Sequence, residues 1–149
     1  MSKPRDINID SEANILSELD LLRRGHRAAG NWTLPMACWH LKLPLDICLH
    51  MPKQTETQPE QQELKGRLDN LIDGGKMSHG MTIFPGTEPP ADADETAIDG
   101  IVAGLKALQD YPESHVDFGY FGPVPTDRFR MFICKHAENH LAFFLPEGK

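Results

Sequence analysis

The stretch TDRFRMFICKHAENHLAFFL, residues 126–145, decides how this chain folds. Phe129, Ile133, His136, His140, Phe143 and Phe144 fall at i, i+4, i+7, i+11, i+14 and i+15, which is one face of a helix. Arg128, Lys135, Glu138 and Asn139 fall on the other face. Thr126 and Asp127 can open such a helix, and Pro146 ends it just past Leu145. Two imidazoles therefore lie on the stripe that has to be buried. Burial of an imidazole is costly unless its nitrogens find partners. Side chains at i and i+4 stand about 5–6 Å apart at Cβ, close enough for both rings to aim at one point. His-x-x-x-His on a helix is for this reason a recurrent pair of metal ligands.

The pair is not the zinc-protease motif, in which a glutamate directly follows the first histidine. Glu138 comes two positions after His136, about 200° around the helix, and points away from it.

Working outward, helical periodicity recurs along the chain. Ile15, Leu19 and Leu22 mark a first helix over about Ser11–His26, capped by Asp10 or Ser11 and basic in its last turn. A second helix starts at Thr33, an N-cap followed by Pro35 in the first turn, and continues to about Met51. Pro44 in its middle removes a backbone hydrogen bond and predicts a kink or split. Leu64, Leu68, Leu71 and Ile72 form a short amphipathic helix closed by Gly74-Gly75. Ile98, Ile101, Val102, Leu105 and Leu108 make one stripe on a helix over about Asp94–Gln109.

Residues 52–59, 76–94 and 111–125 read as long connectors, and the second of these is long enough to expect a functional role. No segment alternates for long, so strand signals are weak. The expected fold is all-α: a single domain, residues 1–149, built as a four-helix bundle with long connecting loops.

At 149 residues, with 40% hydrophobic and 25% charged residues, the chain suits one globular domain. Its net charge of −7 offers no basic face for phosphates, which speaks against a nucleic-acid partner. No run approaches the ~20 apolar residues of a membrane span, and the polar N-terminal stretch lacks a signal-peptide core, so a cytoplasmic protein is expected. The three cysteines, Cys38, Cys48 and Cys134, form no CxxC and read as reduced, buried thiols.

A third ligand would complete a metal site, and His40 is the candidate. Met36, Leu43 and Ile47 share its helix face, so it too points toward an apolar surface. By spacing alone, a core histidine bonded to a backbone carbonyl is the equal alternative. His115 reads as a turn-capping residue, with a proton shuttle at the site mouth as the other possibility. His26, His50 and His79 read as surface or helix-end residues. Met36, Met77, Met81 and Met131 read as gap-fillers, and Trp32 and Trp39 as packing residues.

The segment NWTLPMACWHL, residues 31–41, resembles the W-[ST]-x6-H-L signature that opens the second helix of DinB/YfiT-like proteins. ESHVDFGYFG (113–122) and KHAENHLAFF (135–144) are similar to the DUF1569 branch of that superfamily. Val116 stands where the branch has proline, and Asn139 where it often has a further histidine. The resemblance implies a four-helix bundle that binds one divalent metal, zinc or nickel, through His40, His136 and His140. It further implies a thiol-dependent transferase-like reaction on a small-molecule substrate; a cavity at one bundle end, lined by the loop over Met77–Pro90 and by His115, would favour that reading. A non-catalytic metal- or ligand-binding module and a structural protein with core histidines remain as alternatives. A homodimer through helix faces is compatible with the composition.

Overall fold

The computed structural model describes residues 4–50, 59–74, 88–118 and 122–147. Its helices are α1 (Glu12–Arg23), α2 (Leu34–His50), α3 (Pro59–Asp73), α4 (Glu95–Gln109) and α5 (Thr126–Leu141). The strands are β1 (His26–Ala28), β2 (His115–Asp117), β3 (Pro123–Pro125) and β4 (Phe144–Pro146). The chain is thus mostly helical. No helix among the described residues is long and apolar enough to cross a membrane.

The starts of the helices follow side-chain capping. Ser11 Oγ accepts from Asn14 N at 3.2 Å at the head of α1, and Thr33 Oγ1 accepts from Met36 N at 3.3 Å at the head of α2. Asp94 Oδ1 accepts from Thr96 N at 3.0 Å at the head of α4. At α5, Thr126 does not cap; it ties the helix to the preceding segment, donating from Oγ1 to Glu113 O at 2.7 Å and from N to Ser114 O at 2.8 Å.

The all-α expectation needs correction. β1 pairs antiparallel with β4, with Arg27 opposite Leu145, and β2 pairs antiparallel with β3, with Val116 opposite Val124. These pairings explain why two helices stop early. α1 ends at Arg23 instead of His26, because residues 26–28 give their backbone groups to β4. α5 ends at Leu141, four residues before the expected Leu145, and Phe144 leaves the helical face to become strand. Gly122, at φ 74°, makes the turn into β3 in a conformation other residues rarely adopt.

Pro44 does not split α2, which runs unbroken through it. It has no N–H to offer the carbonyl of His40 four residues earlier, so the helical ladder skips a bond at that histidine. α3 starts at Pro59, several residues before the apolar pattern that announced it, and Pro59 sits at the first position that tolerates proline. The expected connectors over 52–58 and 76–87 lie outside the described residues.

The core gathers Ile15, Leu19 and Leu22 of α1, Leu34, Ala37, Leu41 and Leu45 of α2, Leu68 and Ile72 of α3, Ile98, Ile101 and Leu105 of α4, and Phe129 of α5. Each buried side chain of this size contributes about 1.5–3 kcal/mol. α4 approaches α2 closely because two of its residues lack side chains. A Cβ on Gly104 would stand 3.1 Å from Leu45 Cδ1, and one on Gly100 would stand 2.8 Å from Lys42 Cε. Arg23 joins α1 to α4 through Glu95 and Asp99, at 3.0 and 2.7 Å.

The N-terminal segment straps the end of α5. Arg5 N donates to Ala142 O at 2.7 Å, Arg5 Nε donates to Phe144 O at 2.7 Å, and the Arg5 guanidinium pairs with Glu18. Ile9 N donates to Glu138 Oε2 at 2.8 Å. Glu138 therefore serves the strap, consistent with its expected direction away from the paired histidines.

Candidate metal centre

His40 comes from the middle of α2, and His136 and His140 from the last two turns of α5. Burial of Leu34, Ala37, Cys38 and Leu41 fixes the rotation of α2, on which His40 meets the two histidines of α5. Core burial of Phe129, Ile133, Ala137 and Leu141 turns the other two rings toward α2. His40 Nε2 and His136 Nε2 lie 3.0 Å apart. Ring centroids stand at 4.8 Å for His40–His136, 4.5 Å for His40–His140 and 4.8 Å for His136–His140, all edge to face. One nitrogen from each ring can be chosen so that all three fall within 4.8 Å of one another. Among the described residues no other group of three histidine, cysteine or acidic side chains converges in this way.

The spacing fits a divalent ion. Bonds of about 2.1 Å put a right-angled pair of nitrogens about 3.0 Å apart and a tetrahedral pair about 3.4 Å apart. The His40–His136 pair is already there. A pair at the 4.8 Å limit has to close by about 1.4 Å to reach the tetrahedral spacing, which rotation of the histidine side chains can supply.

The protonation state fits too. His136 is held well below its ordinary value of 6.5, first by burial and then by the neighbouring His140 and His40. It is therefore a neutral imidazole with a lone pair to give at neutral pH. Its Nδ1 is buried and makes no hydrogen bond. Only one of the two facing Nε2 atoms can carry a proton, and the other must accept it. His136 buried in this way is costly as core packing alone, and a cation accepting its lone pair would offset that cost.

Aromatic rings wall the cluster. Trp32 lies almost parallel to His140, 5.3 Å between centroids at 15°, and tilted against His40 at 5.2 Å. Phe132 stacks on His136 at 5.2 Å and 26°, and is itself held by Phe118. Sequence reasoning placed Trp32 among packing residues and left Phe132 off the decisive face. For Phe132 the signal was present, since it precedes His136 by one helical turn. For Trp32 the only signal was its place in the motif.

The remaining candidates fall elsewhere. His115 is exposed on β2, with Nδ1 3.0 Å from Ser114 Oγ, and stays out of the cluster. His26 Nδ1 sits 2.8 Å from Leu22 O and its ring meets Phe144 edge-on, a helix-end role as expected. The side chain of His50, His79 and most of the expected cavity loop lie outside the described residues, as do Met77 and Met81. Met36 packs at the head of α2, its Sδ 3.5 Å from Thr33 N, whereas Met131 is exposed and fills no gap. The three thiols are buried. Burial pushes Cys38 and Cys134 up to about 12, and Cys48 upward as well, so none is a nucleophile at neutral pH.

No curated protein and no solved structure matches the chain. A family model does, over residues 1–147, under the description "Protein of unknown function (DUF1569)". A match over nearly the whole length, on a chain whose histidines meet as described, places the protein in the DUF1569 family.

Proposed function

We propose that the protein holds one divalent metal ion, zinc or nickel, between His40, His136 and His140, and that it is a metal-dependent enzyme acting on a small molecule. The proposal includes a DinB/YfiT-like four-helix bundle as the scaffold, supported by ligands that come from two different helices facing each other. The observation that carries the reading is the convergence of three imidazoles, one of them buried and neutral, with Nε2 atoms of two at 3.0 Å.

A divalent ion held by three neutral imidazoles would supply a Lewis acid that makes a thiol or water nucleophilic at neutral pH. The chain's own contribution is to bind and to exclude water. His40, His136 and His140 give three ligands and leave further coordination positions open. Trp32 and Phe132 cover two of the rings and lower the local dielectric, which strengthens electrostatic effects in the site. No cysteine of the described residues is placed to be the nucleophile, so the reacting thiol of a transferase-like step would belong to the substrate.

The aromatic walls also favour a second reading, a metal-binding module without catalysis, in which the same rings close the site. Metal content tests the shared part. One equivalent in the purified, tag-free wild type, lost in both His40→Ala and His140→Ala, is expected. A wild type that takes up no metal after reconstitution at neutral pH sinks the reading. Turnover of an electrophile with low-molecular-weight thiols then separates enzyme from module.

A further inference from the structure

Histidine ligands are ordinarily oriented by a hydrogen bond from the second ring nitrogen to a carboxylate, carbonyl or water. His136 departs from that arrangement, because its Nδ1 is buried with no hydrogen-bond partner. What touches its ring is a flat aromatic face, Phe132 at 26°. His140 has the same kind of neighbour, the Trp32 indole at 15°. The second torsion of a histidine side chain is broad and roughly two-fold, so the ring plane must be chosen by its surroundings. A stacked ring does this: it permits the parallel orientation and blocks the perpendicular one.

Trp32 occupies a particular place. It touches His140 and His40 at once, and so bridges ligands from α5 and α2. Its backbone directly precedes Thr33, whose main-chain carbonyl accepts from Ala37 N at 3.1 Å and whose Oγ1 caps the helix. The backbone that carries the indole is therefore anchored at the head of α2.

We propose that Trp32 is a positioning residue of the metal centre: by stacking on His140 it sets the plane of that ring, and so sets the affinity of the site. The proposal rests on the metal reading above. Loss of the indole face lets the His140 imidazole sample orientations that do not converge with the other two, and apparent affinity falls with the competent fraction. Removal of a group that orients ligands typically weakens metal binding by about 10–100-fold.

Cobalt(II) serves as probe, because its visible spectrum reports ligand geometry. Trp32→Leu is expected to bind cobalt about tenfold more weakly or worse, with an altered ligand-field spectrum, while Trp32→Phe, which keeps a stacking face, stays within about threefold. Trp32→Met replaces the leucine variant if that one loses its helical circular dichroism. Wild-type affinity and spectrum in the non-aromatic variant would overturn the proposal.

The histidine ring signals of the metal-free protein, followed by NMR, give an independent readout. In the non-aromatic variant those of His140 should broaden or multiply, and in Trp32→Phe they should stay sharp. If the wild type binds no cobalt, the metal reading fails, and these signals still decide the stacking: sharp, single signals in the non-aromatic variant overturn it.

Discussion

Replacing His136 by leucine should leave the protein at least as stable as the wild type without metal and less stable than the wild type with it. Without metal, the wild type carries Nδ1 of His136 buried and unbonded, at a cost of about 1–3 kcal/mol for such a group. Leucine removes that atom and keeps most of the ring's bulk beneath Phe132. The loss on the other side is the 3.0 Å contact to His40 Nε2, worth about 0.5–1.5 kcal/mol. His40 is only partly buried, so water can take over that partner. The metal-free variant should thus lie between parity and about 2 kcal/mol above the wild type, a midpoint rise of up to about 8 °C for a domain of this size. With metal at a hundredfold excess over its dissociation constant, the wild type alone gains about 2.7 kcal/mol. The assay is thermal unfolding by circular dichroism, with chelator and with zinc. A metal-free variant more than about 1 kcal/mol below the wild type would refute the cost assigned to Nδ1. A variant that still gains stability from zinc would refute the ligand assignment.

Other expectations are simpler. A disulfide reagent at pH 8 should label none of Cys38, Cys48 and Cys134 in the native protein and all of them after denaturation, since burial raises each thiol; rapid native labelling would contradict their enclosure. Gly100→Ala should stabilise by up to about 0.5–1 kcal/mol, because only the flexible arm of Lys42 stands in the way, whereas Gly104→Val should cost about 1–3 kcal/mol by driving Leu45 and α2 outward. Denaturant titrations of the two variants check this contrast. The Arg128 guanidinium beside Asp73 holds that carboxyl below its ordinary 3.8. The folded state then binds fewer protons than the unfolded one, so the pair's stabilisation is present above pH about 4 and fades as pH falls further. Arg128→Gln should flatten that acid limb, which unfolding curves between pH 2 and 5 would show.

Much of the site could be read from spacing, and the missing parts have physical reasons. His136 and His140 were legible because one helix carries both, and helical periodicity places neighbours without knowledge of the fold. His40 lies 96 positions from His136, and a contact across that distance leaves no periodic trace; its apolar helix face left a core histidine as an equal reading, and resemblance to a motif decided between them. Trp32 over His140 is a contact of the same kind and was missed. The strands were illegible because three residues are too few to show alternation, and β1 and β4 are strands only by virtue of each other. The end of α5 was misplaced for that reason: Phe144 fits the helical stripe, but its backbone is claimed by Ala28. The split at Pro44 was overread, since a buried proline inside a packed helix is carried by the surrounding contacts.

The separation of the ligands also orders events during synthesis. A ribosome adding about 5–20 residues per second needs roughly 5–20 s to travel the 96 positions from His40 to His136. Throughout that interval the nascent chain displays a single histidine of the set, with nothing to chelate. On the metal reading proposed above, the full set of three could close only after α5 has emerged and docked, so an ion so held would arrive as the last component and act as a seal on a finished fold. A chain that stalls before residue 136 carries none of the chelating pair and would be released empty.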